Sequence, residues 1–228
     1  MANNQGQQRK IIKSNKLNID YYDQYLSQDE SQKIYDILEK DIIWDVPFSN
    51  NKRLTQIYAD PGLIYEVKLG GYGNRPLETY RYSTLPWGYL PILMEVREKL
   101  SQLTGEKYNF CVIQRYPNGK VGISPHRDRE MIKGTHICGL SVGCTRKLKM
   151  SPPKFIKDQS IELELKSGSL YILRPPTNDY WTHCVEKDSS KAPRISLTFR
   201  NVPNVTPIEK IKIPLKLKLK SPNKSFDN

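Results

Sequence analysis

The feature that most constrains the fold is a change of hydrophobic period at Gly105. Before this glycine, apolar residues recur at helical spacing; after it, they alternate or form short runs bounded by turn residues. The strand candidates are residues 108–116, 137–142, 146–150, 161–165, 169–174 and 194–202. Short strands at this spacing, without helices between them, predict an all-β barrel or jelly roll rather than a parallel α/β sheet.

Two helices are predicted in the first half of the chain. Ser27 and Glu30 have the spacing of a capping box, and apolar residues follow at helical spacing, which predicts a helix over 28–41. A second helix opens at Pro91 and ends at Gly105, which serves as its C-terminal cap. The predicted fold is therefore mainly β, with an N-terminal helical layer packed on the β-structure.

Composition suggests how the chain is divided. Residues 1–18 are rich in Asn, Gln and Lys and contain no acidic residue, which predicts a disordered basic arm. Residues 19–105 would hold the helical layer, 106–205 the jelly-roll core and 206–228 a basic tail. Within 210–220 Lys alternates with apolar residues, but Pro214 argues against a central strand, so this segment is an edge strand or part of the tail.

The charge balance indicates an anionic partner. Lys and Arg total 36 against 24 acidic residues, which gives a formal net charge of +12. Nucleic acid is the commonest polyanion for such a surface. The alternatives are a generally basic, solvated surface and membrane phospholipid, although no amphipathic basic helix stands out in the sequence.

Cysteine usage and hydropathy bear on the compartment. Cys111, Cys138, Cys144 and Cys184 are scattered without C-x-x-C pairing, which is typical of reduced residues in an intracellular protein, in nucleus or cytoplasm. No apolar run approaches 18 residues, and no apolar segment follows a charged start, so neither a membrane span nor secretion is expected. The 228 residues suffice for one domain, and we expect a monomer.

His126, Asp128 and His183 form the most informative polar pattern. Side chains at i and i+2 of a strand share a face, so His126 and Asp128 can bind one metal ion from a single strand end. Two histidines and one carboxylate can occupy one face of an octahedral metal and leave three positions open, as non-haem Fe(II) oxygenases require. Each part alone has a plainer interpretation, because a single His-x-Asp or a lone histidine is more often a surface or core feature.

The segment Arg194–Arg200 alternates completely along a predicted strand. Its apolar residues point one way, and Arg194, Ser196, Thr198 and Arg200 point the other. Buried guanidinium groups are costly unless paired, so a carboxylate ligand would have a clear place beside them. Structural salt bridges are the alternative explanation for two arginines at this spacing.

At these residues the sequence resembles the AlkB family of Fe(II)- and 2-oxoglutarate-dependent dioxygenases, in particular its eukaryotic-type DNA-repair branch. The resemblance covers roughly residues 50–203. It rests on the two motifs above and on residues 59–65 (ADPGLIY), 108–116 (YNFCVIQRY), 141–146 (SVGCTR), 168–170 (GSL), 176–178 (PTN) and 193–200 (PRISLTFR). It implies a double-stranded β-helix, that is, a jelly roll, with a nucleotide-recognition lid within residues 19–105.

The resemblance also implies a set of cofactor-binding residues. His126, Asp128 and His183 would bind Fe(II), while 2-oxoglutarate and O₂ would take the open positions. Arg194, helped by the hydroxyl of Tyr116, would pair with the distal carboxylate of 2-oxoglutarate.

Further residues are assigned by the same resemblance. Arg200 would lie near the 2-oxoglutarate carboxylate next to the metal, and Gln114 stands where the family has an asparagine that contacts the co-substrate. Tyr65 matches an aromatic residue that stacks on a flipped-out base, and Glu130 matches an acidic residue close to that base. Arg129 stands where repair enzymes often have Asp, which reverses a charge beside the base pocket.

Two positions bear on how the base is held. Val67 replaces a second aromatic residue of the base pocket and should weaken stacking. Phe48 lies where duplex-active relatives carry an aromatic wedge in a longer loop, and it could equally be a core contact.

The expected activity is oxidative removal of N-alkyl groups from DNA bases such as 1-methyladenine and 3-methylcytosine, with release of formaldehyde. An RNA or protein demethylase on the same fold is the second interpretation. The third is a catalytically inactive nucleic-acid-binding module, which the complete His-Asp-His set and the two arginines argue against.

Overall fold

The computed structural model describes residues 8–44, 53–60, 63–69, 78–203 and 205–207, with the backbone alone described over 63–69, 78–83 and 205–207. The helices are α1 (Gln28–Asp41), α2 (Pro91–Thr104) and α3 (Thr177–Tyr180), with a 3-10 turn at Trp87–Tyr89. The strands are β1 (Arg9–Ser14), β2 (Leu17–Tyr22), β3 (Leu54–Ala59), β4 (Leu63–Leu69), β5 (Glu78–Ser83), β6 (Leu85–Pro86), β7 (Phe110–Tyr116), β8 (Ile123–His126), β9 (Ile137–Gly143), β10 (Arg146–Ser151), β11 (Ile161–Leu165), β12 (Leu170–Leu173), β13 (Thr182–Val185), β14 (Arg194–Arg200) and β15 (Val205–Pro207).

Both predicted helices are confirmed, together with the residues that end them. The Ser27 hydroxyl accepts a hydrogen bond from the Glu30 amide, and the Glu30 carboxylate accepts one from the Ser27 amide, which completes the capping box of α1. Helix α2 begins at Pro91 and is capped by Gly105 in the left-handed conformation, at φ +77°. A residue with a Cβ would be strained at that φ, which is why glycine ends the helix there.

The strands form two sheets that face each other, as in a jelly roll. The large sheet has the order β1-β2-β12-β9-β14-β7-β3-β6, and the small sheet has the order β11-β10-β13-β8. A third sheet, β15-β4-β5, is described by its backbone. Apolar residues from the facing sides of the large and small sheets form one core, which includes Tyr171 and Leu173 on the large sheet and Leu148 and Leu165 on the small one.

A second core lies on the opposite face of the large sheet. There Leu38 of α1 and Leu93 of α2 belong to the same buried cluster as Ile195, Leu197 and Phe199 of β14. The apolar residues of β14 therefore face the helical layer, which leaves its polar residues facing the space between the sheets. The predicted mainly β fold with a helical layer is confirmed.

The expectation that residues 1–18 are disordered is wrong for the part that the structure describes. Strands β1 and β2 pair from Arg9 opposite Tyr22 to Ser14 opposite Leu17, and β2 pairs with β12, so this hairpin extends the large sheet. Asp20 of β2 is fully buried, and its carboxylate accepts hydrogen bonds from Arg9 at 2.7 Å and from Arg174 at 2.6 Å.

Composition led to the wrong prediction for residues 1–18 because β1 is an edge strand with mostly polar residues. Its burial pattern is almost entirely exposed, so it lacks the apolar alternation that marks a half-buried strand. The proposed boundary after residue 18 falls inside β2; the other domain boundaries stay predictions. Residues 1–7 and 208–228, including the alternating segment 210–220, lie outside the described residues. Among the described helices, none is long and apolar enough to cross a bilayer.

Candidate metal centre and anion pocket

His126, Asp128 and His183, hereafter the His-Asp-His cluster, come together at one end of the small sheet. His126 ends β8 and lies opposite His183 of the antiparallel strand β13, and Asp128 follows β8 by two residues. The nearest Asp128 oxygen lies 3.5 Å from Nε2 of His126 and 3.9 Å from Nε2 of His183. One potential ligand atom from each residue lies within 4.8 Å of the other two, a spacing that one metal ion can bridge.

Local hydrogen bonds hold two members of the cluster in place. The carbonyl oxygen of Ser124 lies 2.8 Å from Nδ1 of His126, which leaves Nε2 facing Asp128. The side chain of Asn178 makes two hydrogen bonds to the backbone of Asp128. Its oxygen accepts from the Asp128 amide at 3.0 Å, and its Nδ2 donates to the Asp128 carbonyl at 2.8 Å. Asn178 comes from α3, so the segment that precedes β13 also fixes the loop after β8.

The protonation states suit metal binding. Burial lowers the pKa of His183 to about 4, so its imidazole is neutral near pH 7 and can donate a lone pair. Burial alone would raise the pKa of Asp128, but the Arg200 guanidinium, followed by the two histidines, outweighs it and holds the pKa below its usual value. Two imidazoles and a carboxylate are a ligand set that fits Fe(II).

Arg194 at the start of β14 provides a buried positive charge beside the cluster. Its side chain is 1% exposed, and its guanidinium donates to the hydroxyls of Ser141 at 2.7 Å and Ser196 at 3.2 Å. It lies 5.2 Å from the centroid of the Tyr116 ring. Within the described part of the chain it has no ion pair, and its Nη1 atom has no hydrogen-bond partner. A carboxylate-bearing co-substrate fits this orphaned donor.

Gln114 and Tyr116 line the same cavity as Arg194. Both lie on β7, which pairs with β14 so that Tyr116 is opposite Arg194 and Gln114 is opposite Ser196. The Tyr116 hydroxyl donates to the Gln114 side-chain oxygen at 3.3 Å. The structure thus brings together the two β7 residues that the sequence singled out for the co-substrate and the arginine that they would assist.

Arg200 and Glu130 make a contact that the sequence did not indicate. Nη1 of Arg200 lies 2.8 Å from an Asp128 carboxylate oxygen and 2.5 Å from a Glu130 carboxylate oxygen. Arg200 therefore links Glu130 to the His-Asp-His cluster. No sequence signal could have found this contact, because Glu130 lies in the irregular segment after β8, where strand alternation no longer sets side-chain direction.

The cluster and the arginines share one cavity between the two sheets. Its large-sheet side is polar, and its small-sheet side holds His126 and His183 among apolar residues. Its lining consists of Gln114, Tyr116, Ile123, His126, Asp128, Leu148, Leu165, Tyr171, His183, Val185, Arg194, Ser196, Thr198 and Arg200. Tyr171, Ser141 and Asn178 were not singled out as site residues. Ser141 and Asn178 stood in quoted motifs, but only the fold brings Ser141 to Arg194 and Asn178 to Asp128.

Of the remaining candidates, the structure describes the side chain of Arg129 but not those of Tyr65 and Val67. Arg129 is exposed and borders, with Arg127 and Lys133, a surface cavity of about 510 Å³ that shares Asp128 with the site cavity. For Tyr65 and Val67 the structure gives their backbone pairing in β4, opposite Tyr82 and Tyr80 of β5, but their side chains lie outside the described set.

Phe48 lies outside the described residues. His136, the third histidine of the chain, lies near Glu106 and Arg174 and does not belong to the His-Asp-His cluster.

Comparisons with known proteins show the family of the chain. A family model described as the 2OG-Fe(II) oxygenase superfamily matches residues 18–200. The "DNA oxidative demethylase ALKBH2" of Bos taurus is 33% identical over 205 residues, which cover 84% of this chain and 71% of that protein. The protein of the same name from Homo sapiens is 32% identical over 189 residues, covering 76% and 69%.

Two further similarities are more distant. "Alpha-ketoglutarate-dependent dioxygenase alkB homolog 3" of Bos taurus is 29% identical over 186 residues, covering 76% of this chain and 62% of that protein. The solved structure of OsALKBH1 covers 84% of this chain and 100% of its own, at 13% identity and a TM-score of 0.54, and so supports the fold. By its family match and its relatives, the chain belongs to the 2OG-Fe(II) oxygenase superfamily and, within it, to the AlkB family of Fe(II)- and 2-oxoglutarate-dependent dioxygenases.

Proposed function

We propose that this dioxygenase is an oxidative demethylase that removes N-alkyl groups, such as those of 1-methyladenine and 3-methylcytosine, from DNA. The observation that carries the proposal is a single cavity that holds the His-Asp-His cluster and the buried Arg194, which has no ion-pair partner among the described residues. The relatives named as DNA oxidative demethylases, at 32–33% identity, support DNA as the substrate.

In this proposal the His-Asp-His cluster holds Fe(II). His126 and His183 would each donate an imidazole nitrogen and Asp128 a carboxylate oxygen, three protein ligands in all. Hydrogen bonds from Asn178 keep the Asp128 backbone fixed relative to β13. When bound, iron and 2-oxoglutarate supply, with O₂, the oxidising power that converts an N-methyl group to a hydroxymethyl group, which leaves as formaldehyde.

Arg194 then binds the distal carboxylate of 2-oxoglutarate. Nη1, which has no hydrogen-bond partner in the described part of the chain, provides a donor for this anion. The hydroxyl of Tyr116 and the amide of Gln114 lie on the adjacent strand and assist. Arg200, which already contacts Asp128, supplies positive charge near the co-substrate carboxylate at the metal. Apolar residues of the small sheet keep water away from these groups, which strengthens the ionic contacts.

The base would approach from the side of Glu130. Glu130 is held by Arg200, so its carboxylate is fixed relative to the cluster and can accept a hydrogen bond from an exocyclic amino group. Tyr65 would stack on the flipped-out base, and Arg129 would lie at the pocket entrance. Extracting a base costs a few kcal/mol, least for damaged or unpaired bases, which favours alkylated substrates.

The basic surface would hold the nucleic-acid backbone without reading its sequence. The net charge of +12 is large for a chain of this size, and phosphate contacts supply most of the non-specific affinity for DNA. We propose that the protein acts as a monomer inside the cell, in the nucleus or the cytoplasm, where such a substrate is found.

The test is release of formaldehyde and succinate with Fe(II), 2-oxoglutarate and oligonucleotides that carry 1-methyladenine or 3-methylcytosine. Single-stranded DNA, duplex DNA and RNA run in parallel. Asp128→Ala removes a proposed iron ligand, and Asp36→Ala, on the exposed face of α1, is the matched control.

Three outcomes are distinguishable. Release from DNA that survives Asp36→Ala but not Asp128→Ala supports the proposal. Release from RNA alone would replace DNA with RNA as the substrate. Succinate without repair of any methylated base would contradict the demethylase assignment and leave the dioxygenase with another substrate.

A further inference from the structure

Tyr171 is a buried phenol in the cavity that the sequence interpretation left without a role. Its side chain on β12 is 5% exposed and lines the cavity together with Tyr116 and Arg194. Buried tyrosine hydroxyls usually find a hydrogen-bond partner. Tyr21 and Tyr108 in the two cores do so, with the Glu164 carbonyl and with Thr104, respectively. Within the described part of the chain, the Tyr171 hydroxyl has no such partner.

The direction of the Tyr171 ring follows from its neighbour across the sheet. Tyr171 lies opposite Gly139 of β9. A Cβ on Gly139 would come within 2.0 Å of the ring carbon Cζ and 2.4 Å of the hydroxyl oxygen. The hydroxyl end of the ring therefore lies over β9, where only a glycine leaves room for it.

The hydroxyl therefore points towards β14, the strand that carries Arg194 and Arg200. Strand β9 lies between β12 and β14, and Gly139 pairs on its other side with Thr198 of β14. The polar residues of β14, Arg194 and Arg200 among them, face the same cavity. Arg194 is also the charged group that most strongly opposes the rise that burial causes in the pKa of Tyr171, which agrees with its proximity. The phenol stays neutral near pH 7 and is a hydrogen-bond donor.

We propose that the Tyr171 hydroxyl donates a hydrogen bond to the 2-oxoglutarate carboxylate that Arg194 binds, and that Gly139 lets the ring reach it. This inference rests on the proposed placement of 2-oxoglutarate at Arg194. It adds a third donor, from a third strand, to the two that Arg194 and Tyr116 provide. The distal carboxylate would then be held by β14 through Arg194, by β7 through Tyr116 and by β12 through Tyr171.

The first experiment compares Tyr171→Phe with Tyr108→Phe. Both variants remove one buried hydroxyl and keep the ring, but Tyr108 lies in the core on the helix side, where its hydroxyl meets Thr104 and Cys138. Calorimetry on Mn(II)-loaded protein without turnover gives the Kd for 2-oxoglutarate, and a separate titration gives the Kd for Mn(II). We expect Tyr171→Phe to weaken 2-oxoglutarate binding about tenfold or more, the loss typical of a hydrogen bond to a charged group.

The same titrations distinguish a binding role from a structural one. Mn(II) affinity should stay within about twofold of the wild type in both variants, and Tyr108→Phe should bind 2-oxoglutarate normally. Unchanged 2-oxoglutarate affinity in Tyr171→Phe overturns the inference, and so does an equal loss of Mn(II) affinity, which would mean that Tyr171 only supports the fold. If Arg194→Ala also binds 2-oxoglutarate normally, the proposed placement of the co-substrate fails as well.

Gly139→Ala tests the second half of the proposal. The added methyl group displaces the Tyr171 ring, so this variant should weaken 2-oxoglutarate binding as Tyr171→Phe does. Combined with Tyr171→Phe it should add little, because both changes remove the same contact. Fully multiplicative losses would overturn the role of Gly139. If Tyr171→Phe does not fold, Tyr171→Leu combined with Gly139→Ala, which refills part of the ring volume, carries the same comparison.

Discussion

At the residue scale, replacement of Arg194 tests the proposed co-substrate binding separately from folding. With Mn(II) bound, 2-oxoglutarate should raise the Tm of the wild type, because a ligand that binds only the folded state stabilises it. We expect Arg194→Ala to abolish this shift at moderate 2-oxoglutarate concentration. Differential scanning fluorimetry with and without 2-oxoglutarate measures it.

Arg146 offers a matched control for this experiment. It is also a buried arginine, 5.9 Å from the Tyr116 ring centroid, but its guanidinium donates to the Val121 carbonyl and forms an ion pair with the Asp188 carboxylate. Arg146→Ala should lower the starting Tm and keep the 2-oxoglutarate shift. An intact Tm shift in Arg194→Ala would show that Arg194 does not bind 2-oxoglutarate.

His136 gives a pH dependence that is independent of the cluster. Burial lowers its pKa below the usual 6.5, and of the charged groups around it Glu106 and Asp20 oppose the change while Arg174 adds to it. The unfolded chain therefore binds a proton near pH 6.5 that the folded chain takes up only at lower pH. The free energy of unfolding should fall below pH 6.5, by at most about 1.4 kcal/mol per pH unit from this group.

His136→Gln should remove this part of the pH dependence. Urea unfolding at several pH values between about 5 and 7 compares the slope of the unfolding free energy in the two proteins. Equal slopes would mean that His136 titrates normally in the folded state.

Sequence pattern located most of the site because strand alternation sets side-chain direction. It placed Arg194 and Arg200 on one face of β14, and the resemblance joined His126, Asp128 and His183. It could not place contacts that depend on irregular segments or on neighbouring strands. The Glu130–Arg200 pair and the position of the Tyr171 hydroxyl over Gly139 are of that kind.

At the element scale, the capping box of α1 contributes to stability without touching the site. Ser27→Ala removes the hydroxyl that accepts from the Glu30 amide and leaves that donor without its cap. We expect the free energy of unfolding to fall by about 1 kcal/mol, measured by urea denaturation. Ser27→Asp, which can cap the helix equally well, should restore it, and 2-oxoglutarate affinity should change in neither variant. A loss in both variants would show that the cap is not the cause.

Elements were predictable where they carry a long enough pattern. Strands β7, β9, β10, β11, β12 and β14 lie within one or two residues of their predicted bounds. Strands β8 and β13 are four residues long and contain the polar residues of the site, so they show no clear alternation. The hairpin β1–β2 was missed because β1 is almost entirely exposed and lacks apolar alternation, and because the ion pairs of Asp20 with Arg9 and Arg174 are tertiary contacts that local pattern does not contain.

At the scale of the whole molecule, the positive charge should make nucleic-acid binding strongly dependent on salt. A protein that neutralises about four phosphates loses roughly 100-fold in affinity between about 50 and 200 mM salt. We expect a loss of this order for an unmodified duplex, measured by fluorescence anisotropy at several salt concentrations. A flat dependence would mean that the basic residues do not contact the DNA backbone.

The pairing of His126 with His183 has a consequence for how the small sheet is held closed. Strand β8 is the last strand of that sheet, and its ladder with β13 is short and irregular. A metal ion bound by both histidines and by Asp128 would cross-link β8 to β13 and so stabilise this edge of the sheet. The amides of β8 should then exchange with deuterium more slowly once Mn(II) is added. Equal exchange with and without Mn(II) would argue against such a cross-link. Loss of iron would therefore remove the metal cofactor and would also destabilise β8, the strand that carries His126, one of the iron ligands.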